Sequence, residues 1–232
     1  DLTIKDLKQL KDYKYANCQS YLLNSTNTVI AINYKESSVL INLDDYSVIA
    51  KFNGYINNWN PVSNIFSLTT NEEGSDYLKL IQLKNNDIDI IFSKPVIDLN
   101  WQEWADNGES LFFSEKDLFT NYTIHSKKSI EKQLNNSFDT LTLNLQKPVD
   151  GKFVYFNQKV NNSNGNQSMM EVWEGRDKWI FPRKNEYEKN EKFNFLYQWD
   201  SEKNLIRKLT DTVFSSYITN PRFNNSIVYN KL

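Results

Sequence analysis

Short runs of consecutive apolar residues, each bounded by polar turn formers, recur along the chain: Thr28–Asn33, Asn64–Thr69, Ser110–Ser114, Lys152–Asn157 and Ser226–Asn230. A continuous apolar run of this length predicts a short strand. The first four runs are spaced by about 36, 46 and 42 residues, and the last comes after about 74. Spacings near forty suit one four-stranded blade per repeat, and the long gap calls for an insertion.

The segment after each run repeats as well. After the first come Val39–Asn42, the turn Leu43–Tyr46 and Ser47–Phe52; after the second, Tyr77–Leu83, the turn Lys84–Asp87 and Ile88–Phe92. The third unit reads Tyr122–His125, a Ser-Lys-Lys turn and Ile130–Leu134, and the fourth Phe193–Trp199, the turn Asp200–Asn204 and Leu205–Leu209. This is hairpin grammar, two strands around a polar turn. The approach to the next apolar run carries an aromatic or an apolar alternation: Trp59, then Trp101 and Trp104, then Leu141-Thr142-Leu143. Such a unit cannot cover its own apolar faces, so neighbouring sheets must stack. The expected fold is all-β, a β-propeller of about four full blade-like repeats (21–58, 59–98, 99–138 and 139–213) plus a partial fifth (214–232), incomplete or open. Residues 160–192 form the insertion in the fourth repeat. Only the first dozen residues read as helical, with Leu2, Leu7 and Leu10 on one side. The stop at Leu232, directly after an apolar run, suggests an excerpt of a longer protein.

Composition supports strands over helices: Ala occurs only at positions 16, 31, 50 and 105, while Phe, Tyr and Trp make up 14% of the chain. It also removes most catalytic devices. One Cys and one His allow neither an intrachain disulfide nor a Cys-rich or two-His metal site. The six glycines, at 54, 74, 108, 151, 165 and 175, have none of the spacings of G-x-S-x-G, a P-loop or G-x-G-x-x-G. The expectation is therefore no catalytic residue, no cofactor and no metal in this chain. His125 is expected on a strand as a structural residue.

A net charge of −2 with interspersed signs argues against nucleic acid, whose phosphates need a clustered positive field. No run approaches the ~18 apolar residues of a membrane span, and the N-terminus shows no signal-peptide core. The abundant Asn brings sequons at Asn24, Asn121, Asn135, Asn161, Asn166 and Asn224 as a matter of composition.

Within the insertion stands Glu171-Val172-Trp173-Glu174-Gly175-Arg176-Asp177-Lys178-Trp179-Ile180-Phe181-Pro182. In Trp173, Asp177, Ile180 and Pro182 it resembles a segment of the β-propeller region of bacterial prolyl-oligopeptidase-like (S9) serine peptidases. The family usually has Gln two residues beyond the Pro, where this chain has Lys184. Pro148–Phe156 is similar to the S-P-D-G-K turn and strand of such blades, Asp106–Phe113 is a looser copy, and Leu2–Leu7 is similar to the segment that opens the propeller. The resemblance implies a non-catalytic propeller that shields, and filters substrate for, a C-terminal α/β-hydrolase domain absent from this chain, and it implies an extracytoplasmic setting, periplasmic or secreted. Two other readings stay open. One is a stand-alone propeller binding a peptide, protein or glycan through loops on one face. The other is a glycosidase working with carboxylates alone, for which Asp98, Glu103, Asp106 and Glu171 are the candidate acids.

Overall fold

The first fifteen residues pair as a hairpin, β1 (Leu2–Asp6) against β2 (Lys11–Tyr15), where the sequence pattern leads one to expect a helix. The period of two decides the matter. Leu2 and Ile4 turn inward onto Ile30, Ile32 and Ile41, Thr3 and Lys5 face solvent, and Leu7 and Leu10 sit 82% and 88% exposed at the tip. Tertiary packing of one strand face outweighs the weak helical spacing of three leucines. In this computed structural model the described residues are 1–84, 87–116, 118–134, 144–146, 148, 151–161, 192–210, 216–220 and 225–229. Among them there is no helix, and so none long and apolar enough to cross a membrane.

Four antiparallel meanders come next. The first sheet is β3 (Ser20–Leu23), β4 (Val29–Asn33), β5 (Ser38–Asn42) and β6 (Val48–Phe52); the second is β7 (Tyr55–Trp59), β8 (Ile65–Glu72), β9 (Ser75–Lys84) and β10 (Asp87–Val96). The third is β11 (Leu99–Trp104), β12 (Ser110–Glu115), β13 (Leu118–Thr123) and β14 (Lys128–Gln133). The fourth is β15 (Asn144–Leu145), β16 (Phe153–Asn161), β17 (Lys192–Asp200) and β18 (Leu205–Lys208), and a separate pair joins β19 (Ser216–Asn220) to β20 (Asn225–Tyr229). The recurring apolar runs are the second strand of each sheet. The approach segments that sequence treated as loops are its first strand, with Trp59 closing β7 and Trp101 and Trp104 on β11. His125 lies in the exposed β13–β14 turn rather than on a strand, because β13 ends at Thr123.

Burial explains why the second strands are apolar throughout. Val29 and Ala31 face the second sheet, where Ile56, Phe66, Leu68 and Ile81 meet them, while Ile30 and Ile32 face the N-terminal hairpin. Leu111 and Phe113 likewise pack with Ile65, Leu78, Leu80 and Trp104, whereas Phe112 turns the other way to Val154, Phe156 and Trp199. Each central strand thus buries both faces, one against the preceding sheet and one against the next. Last strands such as β14 and β18 are mostly exposed.

Asparagines join the sheets. The Asn24 amide donates to Asn64 Oδ1 at 3.0 Å and that of Asn60 to the Gly108 carbonyl at 2.7 Å. Asn121 Nδ2 donates to the Gly151 carbonyl at 3.0 Å and to Ser201 Oγ at 2.9 Å. The first strands are linked directly: Ser20 Oγ and Tyr55 Oη share a hydrogen bond of 2.6 Å, Asn58 Nδ2 donates to the Gln102 carbonyl at 3.1 Å, and Trp104 Nε1 donates to the Asn58 carbonyl at 3.4 Å. Strands β3, β7 and β11 therefore lie innermost, as in a propeller. Among the described residues no strand pairing joins β19–β20 to β1–β2.

An ion cluster ties the outer edge of the second sheet to the third. Lys94 on β10 bonds Glu115 on β12 and, at 2.9 Å, Glu131 on β14, and the second Glu115 oxygen accepts the Ile97 amide at 3.2 Å. Partial burial works against the Lys94 charge, but the hydrogen bonds to Glu115 and Glu131 outweigh it and raise the lysine above its ordinary 10.5. A raised pKa in the folded state gives stability that is complete below that ordinary value and lost as pH climbs through the raised one. Lys94→Met should cost about 2 kcal/mol by stranding the buried Glu115 carboxylate. Urea midpoints of the wild type should show the cluster's contribution flat from pH 7 to 9 and declining above 10.5.

Gly54 makes the tightest approach in the connection from β6 to β7. At φ +156° a Cβ there would stand 2.3 Å from the Thr69 carbonyl oxygen, a backbone atom that cannot step aside. Gly54→Ala should destabilise the chain by about 3 kcal/mol through overpacking and shift Tyr55 beside it. Thermal unfolding of the variant checks this.

Candidate functional site

A cleft of about 560 Å³ opens between the second and third sheets at the end where chain enters β7 and β11. Tyr55 and Asn57 of β7, Thr69 within β8, Asp76 at the start of β9, Asp98 just before β11 and Leu99 to Gln102 on it line the cleft. Its shape comes from two matching irregularities. Strand β7 skips one residue in its pairing with β8 between Ile56 and Asn58, and β11 skips one against β12 between Leu99 and Trp101. The unpaired residues are Asn57 and Asn100, and both line the cleft. A bulge re-aims side chains at a strand end and exposes backbone that would otherwise pair.

The hydrogen bonds of the lining are partly spent within the protein. Asn57 Nδ2 donates to Thr69 Oγ1 at 2.8 Å, and Asp76 Oδ1 accepts from Asn71 Nδ2 at 2.7 Å. Asp98 holds a left-handed backbone at φ +51°, and its carbonyl accepts the Lys116 amide at 3.3 Å. Gln102 Oε1 is shielded from solvent and has no hydrogen-bond partner among the described residues. Trp101 is half-buried against the core between the third and fourth sheets, and Tyr55 turns its hydroxyl to Ser20 of the first.

A second groove of about 270 Å³ runs between β6 and the outer half of the second sheet, over Phe52, Ile81, Ile88 and Ile90. Lys79 bonds Glu72 at its edge, and that hydrogen bond, offset in part by desolvation, holds the Glu72 carboxyl below its ordinary value.

Of the four candidate acids, Asp98 is at the cleft. Glu103 stands five residues further along the extended β11, about 16 Å away at a strand's rise per residue, and Asp106 lies beyond it in the β11–β12 turn. Asp98 and Glu103 therefore do not form the pair at ~5–10 Å that glycoside hydrolysis needs. Glu171, Trp173, Asp177, Ile180 and Pro182 lie outside the described residues, as does Leu141-Thr142-Leu143. No group of three His, Cys, Asp or Glu among the described residues could hold a metal ion. Sequence reasoning missed Tyr55, Asn57 and Asp76. For Tyr55 and Asn57 the local signal was the polar stretch Tyr55–Trp59 ahead of an apolar run, which carries no strand alternation because of the bulge.

No protein-family model matches the sequence, and no curated protein is significantly similar to it. Solved structures are similar in fold. The tricorn protease superposes with a TM-score of 0.51 at 8% identity over 90% of this chain and 20% of its own. The β-propeller domain of the Trilobed protease from Pyrococcus furiosus, described as having an open velcro topology, superposes with a TM-score of 0.53 at 12% identity over 87% of this chain and 59% of its own. This chain therefore spans one fifth and about three fifths of those two proteins. Radially packed four-stranded meanders, innermost first strands and these two likenesses together make the fold an all-β propeller.

Proposed function

We propose that this chain is the non-catalytic propeller portion of a prolyl-oligopeptidase-like serine peptidase, shielding a hydrolase domain carried elsewhere and filtering its substrates by size. The observation that carries the reading is a stack of sheets joined by buried asparagines on a fold shared with the propellers of two proteases. A wall of this kind excludes folded proteins because its sheets are fastened to one another and do not part readily. The sole histidine stands on an exposed turn, so a Ser-His-Asp arrangement needs residues from beyond these 232.

The native polypeptide that contains this chain, isolated with an antibody raised against residues 1–232, supplies the test. It is expected to react with a fluorophosphonate at one serine outside these positions. Reaction at a serine within them, or none at all, overturns the proposal. The second reading, a stand-alone binding propeller, draws on the bulge-built cleft, and an unlabelled polypeptide would favour it.

A further inference from the structure

We infer that the cleft between β7 and β11 binds an organic cation, an alkylguanidinium or alkylammonium group. Its volume of about 560 Å³ lies within the ~300–1,000 Å³ usual for small-ligand sites. The chemistry of the lining is one-sided. Asp76 and Asp98 bring two carboxylates, and no Lys, Arg or His is among the lining residues. Gln102 Oε1 is a shielded acceptor without a donor, and such an atom costs stability until something donates to it. Asn57 has committed one of its two amide hydrogens to Thr69 and has its carbonyl oxygen left to offer. The charges of the lining are all negative, which disfavours an anion and selects a group with several N–H bonds and a positive charge. Guanidinium suits this set best, since it is planar and carries five donors.

Conservative substitutions test the assignment without dismantling the site. Asp98 sits at φ +51°, a region that Asn tolerates as well as Asp, so Asp98→Asn removes charge and keeps the backbone. Asp76→Asn keeps an oxygen to accept the Asn71 amide at its present 2.7 Å. Unchanged thermal midpoints would certify both variants as folded.

Isothermal titration of the 232-residue chain with acetyl-Gly-Arg-Gly-amide, agmatine, Gly-Ala-Gly-amide and the uncharged isostere acetyl-Gly-citrulline-Gly-amide is the experiment. At least one cationic probe is expected to bind, with the citrulline peptide at least tenfold weaker and each Asp variant at least tenfold weaker for the same probe. Binding of the acetylated arginine peptide assigns the cation to a side chain. Binding of agmatine alone assigns it to a small free amine, and binding of Gly-Ala-Gly-amide assigns it to a peptide N-terminus. Failure of every cationic probe, equal binding of the citrulline peptide, or indifference to both Asp variants overturns the inference. The outcome does not depend on a hydrolase, so failure here and failure of the peptidase proposal are separate results.

Discussion

Replacing Trp199 by alanine should lower unfolding stability by about 4 kcal/mol, the size seen when a large aromatic is cut from a well-packed core. Trp199 is 1% exposed on β17, and its ring meets Phe112 edge-on at 5.8 Å and Phe119 at 5.6 Å. Phe119 in turn stands edge-to-face with Phe156 at 5.2 Å, so one indole fills the centre of the interface between the third and fourth sheets. Nothing nearby can collapse into the space, because each neighbour is anchored in a four-stranded sheet. The indole N–H has no partner among the described residues, which separates packing from hydrogen bonding. Trp199→Phe should therefore cost only about 1.5 kcal/mol. Urea denaturation distinguishes the two variants; a loss below about 1 kcal/mol for the alanine would mean that the sheets do not pack here as described.

The second large effect is expected at Asn33. Its side chain, 0% exposed, bridges from the end of β4 to the innermost strand of the next sheet: Nδ2 donates to the Ile56 carbonyl at 2.8 Å and Oδ1 accepts the Ile56 amide at 3.0 Å. Nδ2 also reaches Ser20 Oγ at 3.1 Å. Asn33→Leu keeps the approximate volume and abandons two buried backbone groups. At about 1–3 kcal/mol for each unsatisfied group, the loss should be about 3–4 kcal/mol. The distinctive readout is local: the Ile56 amide should exchange with solvent much faster, while amides of β12 and β16 follow only the global change. Unaltered protection at Ile56 would contradict the bridging role. Trp199 and Asn33 belong to different interfaces, so their costs should add.

These two residues also show how far the sequence could be read. Trp199 ends a visibly apolar segment, Phe193–Trp199, in a hairpin that recurs four times, so its strand and its burial follow from pattern alone. Asn33 looks like a polar stop after an apolar run, and only the neighbouring sheet reveals why an amide stands there. The same limit explains the first strands. Tyr55–Trp59 is polar and bulged, its partners come from a unit some forty residues away, and no local period marks it as a strand. The cleft was illegible for that reason, since Asn57 and Asn100 meet only after two separate bulges bring them to one end of adjoining sheets. Asp98 alone among its lining acids was singled out from sequence. The helical spacing of Leu2, Leu7 and Leu10 misled because the hairpin tip leaves two of the three in water. The Trp173–Pro182 segment, which carries the strongest family resemblance, lies outside the described residues, and that resemblance rests on sequence.

The size-filter claim rests on sheets that stay fastened to one another, and one ratio tests it directly. In the native polypeptide containing this chain, kcat/KM for a tetrapeptide should exceed that for a folded protein substrate by orders of magnitude. Asn33→Leu, by loosening the first sheet from the second, should shrink that ratio at least tenfold with tetrapeptide turnover nearly unchanged. A ratio that stays constant while the measured stability falls would contradict the account.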